Sequence, residues 1–325
     1  MKSIMNILKT TAFGIGFLSS VALANAEKTN GRVIDALTDQ PVEQIAVFSG
    51  NQNNYTDSYG NYEINTDQGL QRFRVSDNLT NYFNYDEEIN VTTDTLKNVW
   101  MIPKREVDTN YYPDFLIKFK SITNADHPTG SNKRIYQWAP MPIPIYYNEQ
   151  QAYEIFISKY GDEQGNNIAQ LYFDVCDTAL KEWEEKSRVD LFQRIYEDPE
   201  YNQEHYGIKI DYSDDSSYVI GPEWVGEWPY TYPAFGKLFI DNARGTWPNG
   251  NNILRMIWEH ELGHCMLLFH SNDPRDNMNG HNTNNISSND ADIVKIMYTL
   301  PNWTDMRNYN NIQPRNAVKD YYLYE

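Results

Sequence analysis

Chemistry concentrates in one short stretch, His260-Glu261-Leu262-Gly263-His264 with His270 six residues further on. A helix is expected from about Asn252 to Met266. Four residues advance a helix by about 400°, so His260 and His264 point the same way, one turn apart. That geometry suits two imidazole nitrogens on one zinc ion. Glu261, beside the first histidine, can then serve the attacking water as general base. Zinc takes a third protein ligand and keeps an open position. On a continuous helix His270 would lie about 80° away from His260, so it can join only if the helix stops and the chain turns back. Asn272-Asp273 is good turn chemistry, and Pro274 disfavours helix beyond Asp273. The competing reading is two buried, hydrogen-bonded helical histidines. The chain has only 6 His, which makes three at these offsets informative. His281, three residues past Met278, is a rival third ligand. His127 and His205 read as surface or loop residues.

These residues need positioning by other elements. Asn166 to Ser187 is the strongest helix signal, with Ile168, Leu171, Tyr172, Val175, Cys176, Ala179, Leu180 and Trp183 at helical spacing. Its apolar stripe reads as core. Strands are expected at Ile143 to Tyr147, Gly207 to Tyr212 and Lys237 to Ile240. Before them, Arg32 to Ile34, Ile45 to Phe48, Tyr62 to Ile64, Gln71 to Val75 and Asn98 to Ile102 read as short strands. They are separated by turns such as Thr38-Asp39-Gln40-Pro41 and Asp57-Ser58-Tyr59-Gly60. Asp114 to Ile122 is ambiguous between strand and helical turn.

The stretch from His260 resembles the metzincin metallopeptidases, most closely the matrixin branch. That family carries His-Glu-x-x-His-x-x-Gly-x-x-His, then Ser-x-Asp-Pro, and a methionine eight residues after the third histidine. This chain continues His270-Ser271-Asn272-Asp273-Pro274 and reaches Met278 at the family position. Ile286 to Ile293, with Met297-Tyr298, resembles the closing helix. The resemblance covers about 138–300 and implies that His260, His264 and His270 hold Zn2+. It also implies Glu261 as the catalytic base and Met278 as the methionine beneath the metal, and it selects His270 over His281. There are two departures. Leu267 stands where the family has glycine, and a leucine at positive φ costs about 1–2 kcal/mol, which leaves the form of the turn open. Asn279-Gly280-His281 replaces the usual Tyr-Pro.

The early strands resemble the carboxypeptidase regulatory-like, transthyretin-like domain through Gly31, Val33, Asp35, Thr38, Pro41, Thr56, Asp57, Gly60 and Tyr62. Strands at this spacing imply a β-sandwich. The expected layout is a signal peptide at 1–26, the β-sandwich at 27–103, a linker and lead-in at 104–137, and a matrixin-like zinc peptidase domain at 138–325. The second domain is expected to be α/β (α+β), with a twisted mixed sheet and an active-site helix. The segment Gly236 to Asp241 is expected to be the sheet edge that pairs with an extended substrate.

Lys2 and Lys9, the apolar run Thr11 to Leu23, and Ala24-Asn25-Ala26 form an export-signal layout with cleavage after Ala26. The protein is therefore expected to be secreted or periplasmic, without membrane insertion. Against 27 Lys plus Arg stand 45 Asp plus Glu, so the charge is 27 − 45 = −18, and −20 once Lys2 and Lys9 leave. Such a surface argues against nucleic acid as a partner. With only 2 cysteines, Cys176 and Cys265, a disulfide scaffold is excluded; the two could pair or stay as buried thiols. The expected function is an exported zinc endopeptidase acting on peptide or protein. The alternatives are a non-catalytic adhesion protein with a degenerate metzincin domain, or a metal-dependent cell-wall amidase. The intact Glu261 speaks against degeneracy. Oligomeric state has no signature in the sequence.

Overall fold

The computed structural model describes residues 27–77, 81–123, 134–135, 137–138, 141–198, 207–213, 222–225, 235–241, 250–280, 284–302 and 304–310, with backbone alone over 212–254. The expected signal peptide, His127, His205 and His281 lie outside these residues. The described residues form a mixed α/β structure with three sheets and five α-helices. None of these helices is long and apolar enough to cross a membrane.

The first hundred residues carry β1 (Glu27–Asp35), β2 (Ala46–Ser49), β3 (Gln52–Tyr55), β4 (Asn61–Thr66), β5 (Gly69–Ser76), β6 (Asn84–Val91), β7 (Thr95–Leu96) and β8 (Val99–Met101). One sheet runs β4-β1-β7, with β8 also on β1, and β5 lies between β2 and β6 in another. Alternation drives the assembly: in β4, Tyr62, Ile64 and Thr66 are buried while Asn61, Glu63 and Asn65 face out. Gly31 is required by close approach, since a Cβ there would collide with the Lys97 carbonyl. The strongly acidic β6 is held in the sheet by charge pairing, Arg72 with Asp86 and Lys97 with Glu87.

The stretch expected to be a linker contains α1 (Phe115–Ile122), capped by Asp114, whose side chain accepts from the Ile117 N–H at 2.9 Å. Phe115, Leu116, Phe119 and Ile122 are buried in the core. Beyond it come β9 (Ile143–Tyr147), α2 (Glu149–Tyr160), α3 (Asp162–Ser187), β10 (Phe192–Ile195), β11 (Gly207–Ser213), β12 (Pro222–Val225), β13 (Phe235–Asp241), α4 (Gly250–Cys265), α5 (Ser288–Thr299) and β14 (Tyr309–Asn310). The third sheet has order β10-β9-β11-β13-β12, parallel except for β12, which pairs antiparallel with β13. This corrects one expectation: Gly236 to Asp241 is flanked on both sides, and the outer strand is β12. Helix α3 starts four residues before the expected Asn166, directly after Gly161, whose φ of 83° suits the reversal from α2.

A single hydrophobic cluster runs from Val33 to Tyr309. Contacts cross the expected boundary at 103/104. β14 pairs antiparallel with β6, Tyr309↔Tyr85, and the Tyr309 hydroxyl donates to the Trp100 carbonyl at 2.7 Å. Lys295 pairs with Asp39 across the same boundary, and Arg105 of the lead-in pairs with Asp292 of α5.

Candidate metal centre

Helix α4 presents His260 and His264 one turn apart, as the spacing requires. Trp183 and Trp138 brace it, their indole N–H groups donating to the carbonyls of Glu259 at 2.8 Å and Cys265 at 2.7 Å. The second bond satisfies a carbonyl left over at the helix end. There the chain turns in a Schellman motif: Leu267 N–H donates to His264 O at 2.9 Å, and Leu268 N–H to Gly263 O at 3.0 Å. Leu267 sits in the left-handed region at φ 75°, so the turn is kept although glycine is absent. Phe269 N–H then donates to Ile122 O of α1 at 2.7 Å, and His270 faces back toward the helix.

The three imidazoles converge. His270 Nε2 lies 3.2 Å from His260 Nε2 and 3.1 Å from His264 Nε2, and the ligand atoms of all three lie within 4.8 Å of one another. Among the described residues this is the one His/Cys/Asp/Glu group able to hold a metal ion. A tetrahedral zinc with Zn–N about 2.0–2.1 Å sets its nitrogens roughly 3.3–3.4 Å apart, which these separations approach. The outer nitrogens fix the tautomers. His260 Nδ1 meets the Asn277 carbonyl at 2.7 Å, and His264 Nδ1 meets the Leu268 carbonyl at 2.7 Å. A carbonyl only accepts, so each Nδ1 carries the proton and each Nε2 turns a lone pair inward. Burial lowers the pKa of His260, and burial followed by the neighbouring His260 holds His264 down at about 4. Both rings are therefore neutral near pH 7, the form that binds a metal. The residues fit a zinc ion.

Glu261 is buried, and burial pushes its carboxyl up to about 8. A cation among the imidazoles would favour its ionised form. Met278 is fully buried against α4, and Gly263 makes room for it: a Cβ at 263 would collide with Met278 Sδ and lie 3.3 Å from Trp183 Cζ2. Asn279-Gly280 supports His270, since a Cβ at Gly280 would lie 2.9 Å from His270 Nδ1. Cys176 and Cys265 are buried free thiols with pKa values raised by burial, so the pairing alternative is not realised.

Several supporting residues carry no metal-site motif. Asn277 presents its carbonyl to His260 because its N–H donates to Asp290 Oδ2 at 2.8 Å and its amide donates to Met256 O and Asn284 O. Asp290 also closes a capping box with Ser287 at the start of α5. The Ser287-x-x-Asp290 spacing was a readable signal for that cap, though not for its reach to the metal loop.

Comparison with known proteins adds little. No family model and no curated protein matches the chain. Among solved structures 21 chains match. One is a crystal structure from Bacteroides uniformis described as a "putative carbohydrate binding protein", 14% identical, with a TM-score of 0.20, covering 26% of this chain and 49% of that one. The match spans about half the length of that protein, and so low a superposition carries no argument.

Proposed function

We propose that the chain is an exported, zinc-dependent endopeptidase of matrixin-like metzincin type, in which an N-terminal β-sandwich resembling the carboxypeptidase regulatory-like domain precedes the catalytic domain. The observation that carries this reading is the convergence of three imidazole Nε2 atoms, two of them aimed by Nδ1–H bonds to carbonyls, with Glu261 next to the first. The two sheets built from β1 to β8, one of them extended by β14, support the sandwich, and the sheet β10-β9-β11-β13-β12 with α3 and α4 supports the catalytic domain.

His260, His264 and His270 would hold the zinc, which supplies Lewis acidity toward the scissile carbonyl and the attacking water. Glu261 takes a proton from that water and delivers it to the leaving amine. The Asn277 and Leu268 carbonyls keep the two helical imidazoles oriented through the cycle. Met278, Trp183 and Gly263 form the packed floor that stops the rings from tilting. An extended peptide or protein substrate would add to the sheet along β12. Neither nucleic acid nor membrane insertion enters this reading, and the working place is the periplasm or the medium.

Casein cleavage with and without chelator, on wild type and Glu261→Gln, tests the proposal. The variant keeps its zinc, because Glu261 is no ligand, and loses about 10²–10⁴-fold in turnover. A variant that stays active, or a wild type indifferent to chelator, refutes the mechanism.

A further inference from the structure

Helix α1 belongs to a stretch with no motif, yet it touches the metal loop on both sides of His270. The Lys118 side chain is fully buried, and so are its two acidic partners. Its ammonium donates to Asp276 Oδ1 at 2.9 Å, lies 2.7 Å from Asp276 Oδ2 and 3.5 Å from Asp273 Oδ2, and sits 5.6 Å from the Tyr112 ring centre. Arg275 supplies the second cation, pairing with Asp273 at 2.7 Å. Asp276 is the hub. Its carboxylate accepts from the hydroxyl of Ser271, the residue after His270, and from Ser287 at 2.9 Å. Ser271 N–H in turn donates to the Met278 carbonyl at 2.7 Å. The Tyr112 hydroxyl accepts from Asn272 N–H at 2.7 Å, and Ile122 O accepts from Phe269 N–H.

From this geometry we propose that Lys118 is a positioning residue of the metal site, fixing through Asp276 and Asp273 the loop that carries His270 and Met278. His270 is itself exposed, so the backbone at 269 and 271 bears directly on where its ring points. Both are tied to the α1 segment. A buried ion cluster is a poor source of stability compared with apolar packing, but it admits one register only. The apolar face of α1 could dock in more than one rotation or shift, whereas the ammonium reaches both carboxylates in a single one. The consequence for zinc rests on the peptidase reading above; the ordering of the loop does not.

The test uses the full chain. Lys118→Met leaves the buried Asp276 carboxylate without its ammonium and Asp273 with Arg275 alone. The triple variant Lys118→Met, Asp273→Asn, Asp276→Asn removes the charges together. Lys295→Met, which breaks an ion pair away from the loop, is the control. Three quantities are measured: amide hydrogen exchange over 269–279 in metal-free protein, zinc affinity by chelator competition, and the melting temperature. Lys118→Met is expected to lose at least about tenfold of the protection at 269–279 with α3 unchanged, and about 10–100-fold in zinc affinity, as for other groups that orient ligands from behind. The triple variant is expected to recover the melting temperature but neither the protection nor the affinity. Recovery of all three, or an unchanged loop in Lys118→Met, overturns the proposal. If Lys118→Met does not fold, the triple variant decides by the same criterion. If the wild type takes up no zinc, the peptidase reading falls and loop exchange alone decides: lost protection upholds the positioning role, unchanged protection overturns it.

Discussion

Leu267 offers a stability test whose sign runs against the usual ranking of residues. It sits at φ 75° and is only 8% exposed, so it combines backbone strain with useful packing. Truncating a buried leucine to alanine costs at least about 2 kcal/mol. Alanine keeps the Cβ and therefore the left-handed penalty of about 1–2 kcal/mol. Glycine removes that penalty but frees the unfolded chain, which returns about 0.4–1 kcal/mol. Leu267→Gly should thus be more stable than Leu267→Ala by about 0.5–1 kcal/mol, although both are weaker than wild type; within a helix glycine would be worse than alanine by about 1 kcal/mol. Urea unfolding with chelator present measures this without a contribution from metal binding. The Schellman bonds of Leu267 and Leu268 survive both changes, so metal affinity should stay within a few-fold of wild type. If the alanine variant equals or exceeds the glycine variant, the turn relaxes out of the left-handed region and the account of how His270 is brought back is wrong.

Metal analysis of two histidine variants checks the third ligand: His270→Ala should lose zinc affinity by orders of magnitude and His281→Ala should retain it, and the reverse pattern would sink the assignment. Gly263→Ala should push Met278 off its seat and lower the melting point, overpacking of about 1–3 kcal/mol exceeding the helix-propensity gain of about 1; a more stable variant with full activity would show that Met278 is not fixed there. Asp290 is held up at about 6, first by burial and then by Asp276. A carboxyl whose folded pKa lies above its unfolded value favours the fold below the unfolded pKa, and that contribution is lost as pH rises through the folded one. Wild type should therefore lose up to about 3 kcal/mol relative to Asp290→Asn between pH 4 and pH 7. Denaturation curves for both proteins across that range measure it, and a difference independent of pH would refute the shift.

The three-histidine cluster was legible because the chemistry it suits demands fixed spacings. A helix carries i and i+4 side chains together whatever surrounds it, and Asn272-Asp273-Pro274 enforces a reversal. Long amphipathic elements such as α3 and the alternating strands β1, β4 and β5 were legible for a similar reason. β3, with sequence Gln-Asn-Asn-Tyr, and β6, with Asp86-Glu87-Glu88, were not, because their strand character comes from neighbours that pair with them rather than from apolar alternation. The role of α1 was invisible: Lys118 reads as a solvated lysine until Asp273 and Asp276 are brought to it from 155 and 158 positions away. The two carbonyls that orient His260 and His264 have no residue identity to read. The antiparallel course of β12 depends on a chain reversal for which the sequence offered no signal beyond loop composition.

Strand β14 has a consequence for the order of events in synthesis. Tyr309 is fully buried, stacks edge-on against Tyr85 with ring centres 5.1 Å apart, and bonds to Trp100, joining positions separated by 224 and 209 residues. Contacts of such sequence separation form late, after the intervening chain has been closed up. A nascent chain that has already made β1 to β8 still lacks the partner that covers the outer edge of β6. The segment made first is thus finished last. Until Tyr309 arrives the acidic edge of β6 must stay soluble on its own charge, and Asp86, Glu87 and Glu88 are the kind of residues that keep an open strand from pairing with a neighbouring molecule.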